Sequence, residues 1–324
     1  MTRMTDTSYA VITGASPLSV PPLERRRFRS AALTQRDATS AHAQIVTFAA
    51  EGFGMASTTI LERQIARIRR GHLGCGERAD YKPGASVWED RQAKRVHRVP
   101  FMGREAQLPR DCRLAAFLWE CYQDNTADIR EFMPCDHAET VEVARSLKVR
   151  HPRNGDGTYK VLKTDLLVTK HEGRRQWVEA VSVRLQGAGP LAGQSELRII
   201  EQFWKRHGAA WRLHLNDGLN SNWARNLDFL YAIALRPVRA GEGADSPLVQ
   251  RAVLCALHSA RHMSVRTACE FAMKEKGLPL RYGLNAFHLM LAAKHIRFDV
   301  HCRDVDEEPV SALTIVDTRP ISLA

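Results

Sequence analysis

The residues with the clearest potential for chemistry lie in the stretch TDLLVTKHEGRRQWVEAVSVR, Thr164 to Arg184. Apolar residues on both sides of the polar segment HEGR predict two short strands joined by a turn. The first strand carries Asp165, and the second ends in Ser182-Val183-Arg184. Many metal-dependent nucleases carry an aspartate on one strand of such a hairpin and a carboxylate-x-lysine motif on the next. The stretch therefore suggests phosphodiester hydrolysis with Mg²⁺, a hard cation that takes oxygen ligands, although the second half of the motif differs.

The geometry of the predicted hairpin brings three polar residues together. A turn at His171 to Arg174 would set Asp165 opposite Ala180 and diagonal to Ser182. Because side chains alternate along a strand, Asp165, Ser182 and Arg184 would share one face of the sheet, within reach of one ligand. Aspartate is also common at strand ends and turns, so a solvated strand residue is the favoured interpretation of Asp165 from the hairpin alone.

The elements that would position these residues alternate between helix and strand. An amphipathic helix at Thr58 to Arg70 precedes a hairpin at Lys94 to Pro109 and a strongly apolar helix beginning at Asp111, a residue suited to the N-cap. A strand at Thr126 to Pro134, the hairpin that carries Asp165, a helix at Ser195 to Gly208 and the strand WRLHL follow. This order predicts an α/β core with a mixed sheet buried between helices.

The pattern changes after Arg236 to Pro247, a linker rich in glycine and small polar residues. Three helical stretches precede two strand-like segments, RFDVHC and SALTIVD. The helices are predicted at Leu248 to Ala260, Ser264 to Lys276 and Arg281 to Ile296. Three helices and a terminal hairpin predict a small winged-helix domain, a fold that binds either DNA or protein.

Composition narrows the class of partner. The 324 residues allow two or three domains, and 44% hydrophobic with 26% charged residues is typical of a globular protein. A formal charge of +11 favours an anionic partner such as nucleic acid, with a basic solvated surface as the alternative. Seven cysteines without a C-x-x-C pair suggest neither a disulfide framework nor a zinc site. With no apolar run of about 18 residues and no signal-peptide pattern, we expect a cytoplasmic protein without a membrane partner.

Basic residues concentrate in two segments of the N-terminal third. Residues 1–54 hold a proline cluster and the segment ERRRFR, which predict a flexible basic arm that either contacts DNA or forms a solvated tail. The helix at Thr58 to Arg70 places isoleucines on one face and arginines on much of the other, where they could lie on phosphate. The candidate DNA-binding residues are Arg63, Arg67, Arg69, Arg70, Lys94 and Arg95.

Two other groups of residues carry weaker signals. The cluster Cys135-Asp136-His137 lacks the spacing of a nucleophile, base and orienting group, and we expect it in a loop after Pro134. The three tryptophans of the predicted core are expected to be packing residues, not platforms for stacked bases. They are Trp177, Trp204 and Trp211.

Several short motifs occur in order from about Arg63 to Ile233: RQIARIRRG, DYKPG, RVHRV, DCRLAAFLWE, ADIREFMP, KVRHP, TDLLV, AVSVR and NLDFLYAI. With the winged-helix pattern after them, they resemble the TnsA endonuclease family. Members of that family are the subunits that cut the 5′ ends of the element in heteromeric Tn7-type DNA transposition.

The resemblance implies an architecture, a cofactor and partners. It implies a restriction-endonuclease-like core at residues 55–236 that holds Mg²⁺, and a winged-helix domain at residues 237–324 that engages a TnsC-like ATPase. The substrate would be double-stranded DNA at the transposon ends, with a TnsB-like transposase cutting and joining the other strand. Such a complex would associate with the bacterial nucleoid.

The residues at the family's catalytic positions depart from its pattern. Asp165 is retained, but the family's helix glutamate falls on Arg113, its glutamine on Ser182 and its lysine on Arg184. A guanidinium cannot bind Mg²⁺ and does not readily deprotonate to serve as a base. The substitutions therefore argue against standard metal chemistry and for loss of the Mg²⁺ that the resemblance implies.

Three nearby carboxylates do not restore the site by simple geometry. Asp111 is about 200° around the helix from Arg113, and Glu120 lies about 10.5 Å farther along the helix axis. Glu179 has the opposite strand parity from Ser182. We therefore predict that Arg113 pairs with Asp165, with Arg184 nearby, in place of the metal.

Three functional hypotheses follow, in order of preference. The first is a TnsA-like subunit that is impaired in 5′-strand cleavage or lacks it but still binds the transposase, the ATPase and DNA. The second is an active endonuclease that uses a rewired site. The third is a DNA-binding regulator that uses only the winged helix and the basic arm.

Overall fold

A four-stranded mixed sheet carries the predicted hairpin at its centre. The computed structural model describes residues 58–86, 89, 93–187, 193–235, 246–319 and 321. The predicted N-terminal arm, residues 1–54, and most of the predicted linker, residues 236–245, lie outside the described residues. No helix in the described ranges is long and apolar enough to cross a membrane.

The central sheet has the strand order β3-β4-β5-β6. Its strands are β3 (Thr126–Pro134), β4 (Lys163–Glu172), β5 (Arg175–Leu185) and β6 (Ala210–Asn216). The pairs β3/β4 and β4/β5 are antiparallel, whereas β6 runs parallel to β5. The predicted hairpin at Lys94 to Pro109 is present as β1 (Val96–Phe101) and β2 (Arg104–Pro109), which precede the sheet and turn at Met102 and Gly103.

The hairpin β4/β5 differs from the prediction by two residues of register. Glu172 pairs with Arg175, so the turn has only two residues, Gly173 and Arg174, and Gly173 supplies the positive φ of +58° that such a turn needs. Leu166 pairs with Val181. One further step places Asp165 opposite Ser182 and not opposite Ala180. Because a shift of two residues leaves every side chain on the same face of the sheet, Asp165, Ser182 and Arg184 still share one face, as predicted.

Helices cover both faces of this sheet. The first part of the chain forms α1 (Ile60–Gly71), α2 (Asp111–Tyr122), α3 (His137–Ser146), α4 (Gln194–Arg206) and α5 (Asn222–Leu235). Helix α1 begins where the sequence provides a full capping box, with Thr59 bonded to the Glu62 N–H and the Glu62 side chain bonded to the Thr59 N–H.

Two apolar layers explain how the sheet is held between the helices. On one face, Phe117 of α2 and Leu227 of α5 share a buried cluster with Leu166 and Val181 of the sheet. On the other side, helices α3 and α4 pack together through a second cluster. Its buried members include Val143, Ile199 and Phe203, and Trp204 and Trp211 join it to Leu167 and Ala180 of the sheet. The α/β core with a mixed sheet is therefore observed as predicted.

The last part of the described chain contains three helices around their own apolar cluster. They are α6 (Pro247–Ser259), α7 (Val265–Glu275) and α8 (Leu280–Ala292). The strands that follow, β7 (Ile296–Arg297) and β8 (Thr314–Ile315), have two residues each, so most of RFDVHC and SALTIVD is turn or coil and not strand. The winged-helix identity of this region, like the domain bounds, stays a prediction.

Polar contacts attach this helical region to the core. Asp124, after α2, pairs with Lys294 and Arg297, and the Asn226 amide of α5 donates to the carbonyls of Val300 and Cys302. Val300 also joins the apolar cluster under α2. The helical region therefore packs against the side of the sheet that α2 and α5 cover.

Two local predictions were wrong. Arg110, with φ 74°, is the N-cap of α2, and Asp111 instead binds Arg95 and His97. The loop expected at Cys135-Asp136-His137 has only its first two residues, because His137 begins α3, which Asp136 caps by accepting the Glu139 N–H. The signal for this second cap was present in the sequence, since aspartate is among the preferred N-cap residues.

Candidate functional site

Asp165 lies near the start of β4, where its side chain is 9% exposed. Its Oδ2 accepts the backbone N–H of Val183, across the hairpin on β5, at 2.8 Å. This bond fixes the carboxylate between the two strands. A buried carboxylate needs such donors, because it cannot recover the hydrogen bonds that it loses to water.

Arg113 reaches the same carboxylate from α2. Its Nε donates to Asp165 Oδ1 at 2.9 Å, and its side chain is only 16% exposed. The guanidinium lies over the ring of Phe132, 5.3 Å from the ring centroid. Phe132 is a buried residue of β3 with φ +54°, a backbone conformation in which a bulky residue is unusual. The predicted Arg113–Asp165 ion pair is confirmed.

Arg184 closes the group from β5. Its Nη1 donates to Asp165 Oδ2 at 3.2 Å and to the Val183 carbonyl at 2.8 Å. The Arg184 side chain is 26% exposed, the most accessible of the three charged groups. Asp165 thus accepts one backbone N–H and two guanidinium groups. We call Arg113, Asp165 and Arg184 the arginine–aspartate cluster.

Ser182, the fourth predicted site residue, is buried. Its Oγ accepts the indole N–H of Trp211 at 3.1 Å. Trp204 makes a similar bond to Thr164, the residue before Asp165, at 2.6 Å. These tryptophans pack in the core as predicted, and they also donate hydrogen bonds to residues that flank the cluster. Sequence inspection missed this positioning role.

The other candidate carboxylates are committed to cations elsewhere. Glu120 is fully buried and pairs with Lys170 at 2.7 Å and with Arg212. Glu179 accepts the Trp177 indole N–H at 2.9 Å and lies 3.5 Å from Arg212. Within the described ranges, no group of three or more His, Cys, Asp and Glu residues could hold a metal ion.

The donor set at the cluster does not fit Mg²⁺. Two guanidinium groups stand beside a single carboxylate, and both carboxylate oxygens already accept cationic donors. Mg²⁺ binds oxygen ligands in near-octahedral geometry, which guanidinium nitrogens cannot provide. The cluster has a formal charge of +1 and is held together by charge-assisted hydrogen bonds.

Burial affects titratable groups near the cluster. The thiol of Cys112, next to Arg113 on α2, has a raised pKa, chiefly because burial disfavours the thiolate, while the positive charge of Arg113 opposes this shift. Burial also pushes the pKa of Glu89 upward, but hydrogen bonds from Lys163 and the Ser86 N–H, with the charges of Lys163 and Arg67, bring it below its usual value. Cys112 is therefore an inert thiol and Glu89 an ion-pair partner.

All six candidate DNA-binding residues are exposed, and two of them pair with carboxylates. Arg67 pairs with Glu89, which also pairs with Lys163, two residues before Asp165 on β4. Arg95 pairs with Asp111 at the start of α2. The remaining candidates, Arg63, Arg69, Arg70 and Lys94, are exposed on α1 or before β1. The Arg67–Glu89–Lys163 contacts connect the basic face of α1 to the strand that carries Asp165.

Two contacts of the cluster had no signal in the sequence. The Val183 N–H is a backbone donor, so residue type does not reveal it. The left-handed conformation of Phe132, which sets its ring under Arg113, depends on a close approach of Gly84, whose N–H bonds to the Phe132 carbonyl at 3.0 Å. Gly84 belongs to the motif DYKPG, so the family resemblance was the only feature of the sequence that drew attention to Gly84.

No family model matches the chain. A curated relative is the transposon Tn7 transposition protein TnsA of Escherichia coli. It is 28% identical over 190 residues, which cover 57% of this chain and 68% of that protein.

Proposed function

Because this chain belongs to the TnsA-like family, we propose that it is a subunit of a Tn7-type DNA transposition complex that is impaired in 5′-strand cleavage or lacks it. One observation carries the second part of the proposal. Asp165, the only expected catalytic carboxylate in this sequence, is engaged by Arg113, Arg184 and the Val183 N–H.

The chemistry of these contacts opposes hydrolysis. Cutting a phosphodiester at such a site needs a cation that holds the phosphate and activates water. To bind that cation, Asp165 would have to give up its charge-assisted hydrogen bonds to two guanidinium groups, and the like charge of these groups would repel the cation. Arg184 also cannot act as a base at neutral pH, because its guanidinium stays protonated.

The same contacts explain why the fold survives without a catalytic site. An unpaired Asp165 in this position would be costly, since it is almost fully buried. The arginines supply the positive charge that a bound metal would otherwise supply. We therefore infer that the cluster preserves the architecture of the core for binding and assembly.

The proposed partners are double-stranded DNA at the transposon ends, a TnsB-like transposase and a TnsC-like ATPase. Support for DNA comes from the net charge of +11 and from the exposed arginines of α1. Residues 237–324 are proposed to form a winged-helix domain that engages the ATPase.

Long-read sequencing of transposition products tests this proposal in cells. Without 5′ cleavage by this subunit, donor and target should remain joined, so the predominant products should be fused molecules. Predominantly simple insertions would mean that this chain or a partner still cuts. The matched control is the Asp165→Asn variant, which keeps the shape of the side chain, and its loss of simple insertions would assign the cut to this chain.

A further inference from the structure

We propose that α1 and the segment that joins α3 to β4 form one surface that holds the phosphate backbone of duplex DNA. The surface comprises residues 58–73 and 145–163, and we call it the basic platform. The proposal rests on the proposed function, because it takes DNA as the ligand. It adds a contact region after α3 that the candidate residues on α1 and before β1 did not include.

Positive charge is concentrated in the basic platform. It holds ten lysines and arginines against two acidic residues, a net charge of +8 within a chain whose net charge is +11. The basic members are Arg63, Arg67, Arg69, Arg70, Arg145, Lys148, Arg150, Arg153, Lys160 and Lys163. All of them except Lys163 are exposed. A dense cationic surface of this kind attracts a polyanion.

Most of these charges have no carboxylate beside them. Among the described residues, only Arg67 and Lys163 of the platform form ion pairs, and both pair with Glu89. Glu62, one of the two acidic residues of the platform, accepts the N–H that closes the capping box of α1. The other eight cations are therefore available to an anionic ligand.

Three hydrogen bonds join the two parts of the platform. The N–H of Ile60, in the first turn of α1, donates to Asp156 Oδ2 at 2.7 Å. Gln64, one turn further along α1, donates to Asn154 Oδ1 at 3.3 Å and accepts the Val161 N–H at 3.4 Å. Because α1 is held directly against the segment after α3, the cations of both belong to one contiguous region of the surface.

The segment after α3 is a compact hairpin. Arg153 and Tyr159 form an antiparallel bridge, and the Arg153 guanidinium lies over the Tyr159 ring, 4.8 Å from its centroid. Within this bridge, the Asn154 N–H donates to the Thr158 carbonyl at 2.7 Å. The buried ring of His151 lies 5.1 Å from the Tyr159 ring and fixes the base of the hairpin. A surface that is ordered before binding loses less conformational entropy when it takes a ligand.

The side chains of the platform favour duplex DNA over a single strand or an anionic membrane. Bases of a single strand stack on exposed aromatic rings, whereas Tyr159, the one Phe, Tyr or Trp residue of the platform, is half-buried beneath Arg153. A helix that binds a membrane inserts an exposed apolar face. Every residue of the platform lies in the described ranges, and no large hydrophobic side chain among them is exposed. Seven of the ten cations are arginines, whose planar fork matches phosphate.

The platform leads to the arginine–aspartate cluster. Lys163 is its last residue and begins β4. Asp165 follows two residues later, about 6.6 Å farther along the strand. A duplex on the platform would therefore pass close to Asp165. The platform explains how a subunit that is impaired in cleavage would still hold the end of the element.

The test is the affinity of the full chain for a fluorescent DNA duplex, measured by anisotropy over a range of salt concentrations. In the double variant Arg150→Gln/Lys160→Gln, the slope of log K against log salt should fall in magnitude by about two, because two phosphate contacts are lost. Arg63→Gln/Arg70→Gln, which changes one face of α1, should give a similar fall.

Two controls separate a local contact from a change in net charge or in folding. Arg174→Gln/Lys274→Gln removes the same charge from exposed positions on the β4/β5 turn and on α7, and it should keep the wild-type slope. Arg150→Lys/Lys160→Arg keeps both charges and should also keep that slope. Melting curves identify any variant that fails to fold.

The outcomes distinguish this surface from the proposed function. Platform variants that keep the wild-type slope, or a control pair that loses as much, would overturn the platform. So would wild-type chain that binds no duplex, or that binds a single strand of equal length or vesicles of phosphatidylserine more tightly. The joined transposition products test the proposed function separately, and they would still support it in each of these cases.

Discussion

Replacing Asp165 by alanine should destabilise the protein strongly. The side chain is 9% exposed and accepts hydrogen bonds from the Val183 N–H, Arg113 and Arg184. Without the carboxylate, two guanidinium groups would repel each other in a partly buried place. If Asp165 were instead a catalytic metal ligand without such partners, its removal would relieve strain and leave stability unchanged or higher.

The magnitude follows from the burial of the partners. Breaking a buried ion pair costs about 3–5 kcal/mol, since one charge remains without compensation. Arg113 and Arg184 are 16% and 26% exposed, so water recovers part of this loss. We expect a net cost of about 2–4 kcal/mol, which lowers Tm by about 5–15 °C for a chain of this size.

Thermal melting and urea unfolding measure this change. Arg113→Met provides a double-mutant cycle with Asp165→Ala, and the double variant should be more stable than the sum of the single changes predicts. Glu142→Ala is the matched control, because Glu142 is 69% exposed and its pair with Arg206 should contribute less than about 1 kcal/mol. An Asp165→Ala protein that melts within about 2 °C of wild type would refute the structural role of the cluster.

Three further predictions concern other parts of the core. Gly84→Ala should lower the free energy of unfolding by on the order of 2 kcal/mol or more, because its Cβ would lie 2.3 Å from the Phe132 carbonyl oxygen and displace the ring beneath Arg113. An unchanged unfolding midpoint would show that Gly84 and Phe132 are not in tight contact. Lys170→Met should lower the free energy of unfolding by about 3 kcal/mol, since it leaves the buried Glu120 with Arg212 alone. Urea unfolding measures this change, and Lys205→Met, which removes an exposed ion pair, is the control. Burial, and then the charge of Arg212, lower the pKa of His214 to about 4 against the opposing charge of Glu120. Because the folded state therefore binds fewer protons than the unfolded state, the free energy of unfolding should fall by about 2 kcal/mol between pH 6.5 and pH 4. His214→Gln should make the free energy of unfolding less dependent on pH in this range.

The sequence predicted the α/β core because periodicity and turn residues act locally. Gly173 in the hairpin turn, the capping box at Thr59 and the alternation along β4 each specify structure within a few residues. The exact register was wrong by two residues, because the turn used Gly173 and Arg174 alone. The shared face of Asp165 and Arg184 survived this error, since parity depends only on whether a shift is odd or even.

The family resemblance, which placed Arg113 and Arg184 beside Asp165, together with their charges predicted the cluster, but the sequence did not predict the contacts that support it. Arginines at two positions beside a lone buried aspartate require pairing on physical grounds, and the pair is present. The Val183 N–H, the left-handed Phe132 and the tryptophan bonds to Thr164 and Ser182 depend on tertiary contacts. The helical region after residue 246 was predicted for the same local reasons as the core, but its two strands have only two residues each.

A strand-specific cleavage assay tests the central claim most directly. The purified chain and the proposed TnsB-like partner are incubated with end-labelled transposon DNA and Mg²⁺ or Mn²⁺, and the labelled strands are separated. We predict transferred-strand cuts by the partner and no cut at the 5′ ends. A 5′ cut that depends on this chain and disappears in Asp165→Asn, while the variant keeps the wild-type melting curve, would contradict the account and identify an active endonuclease.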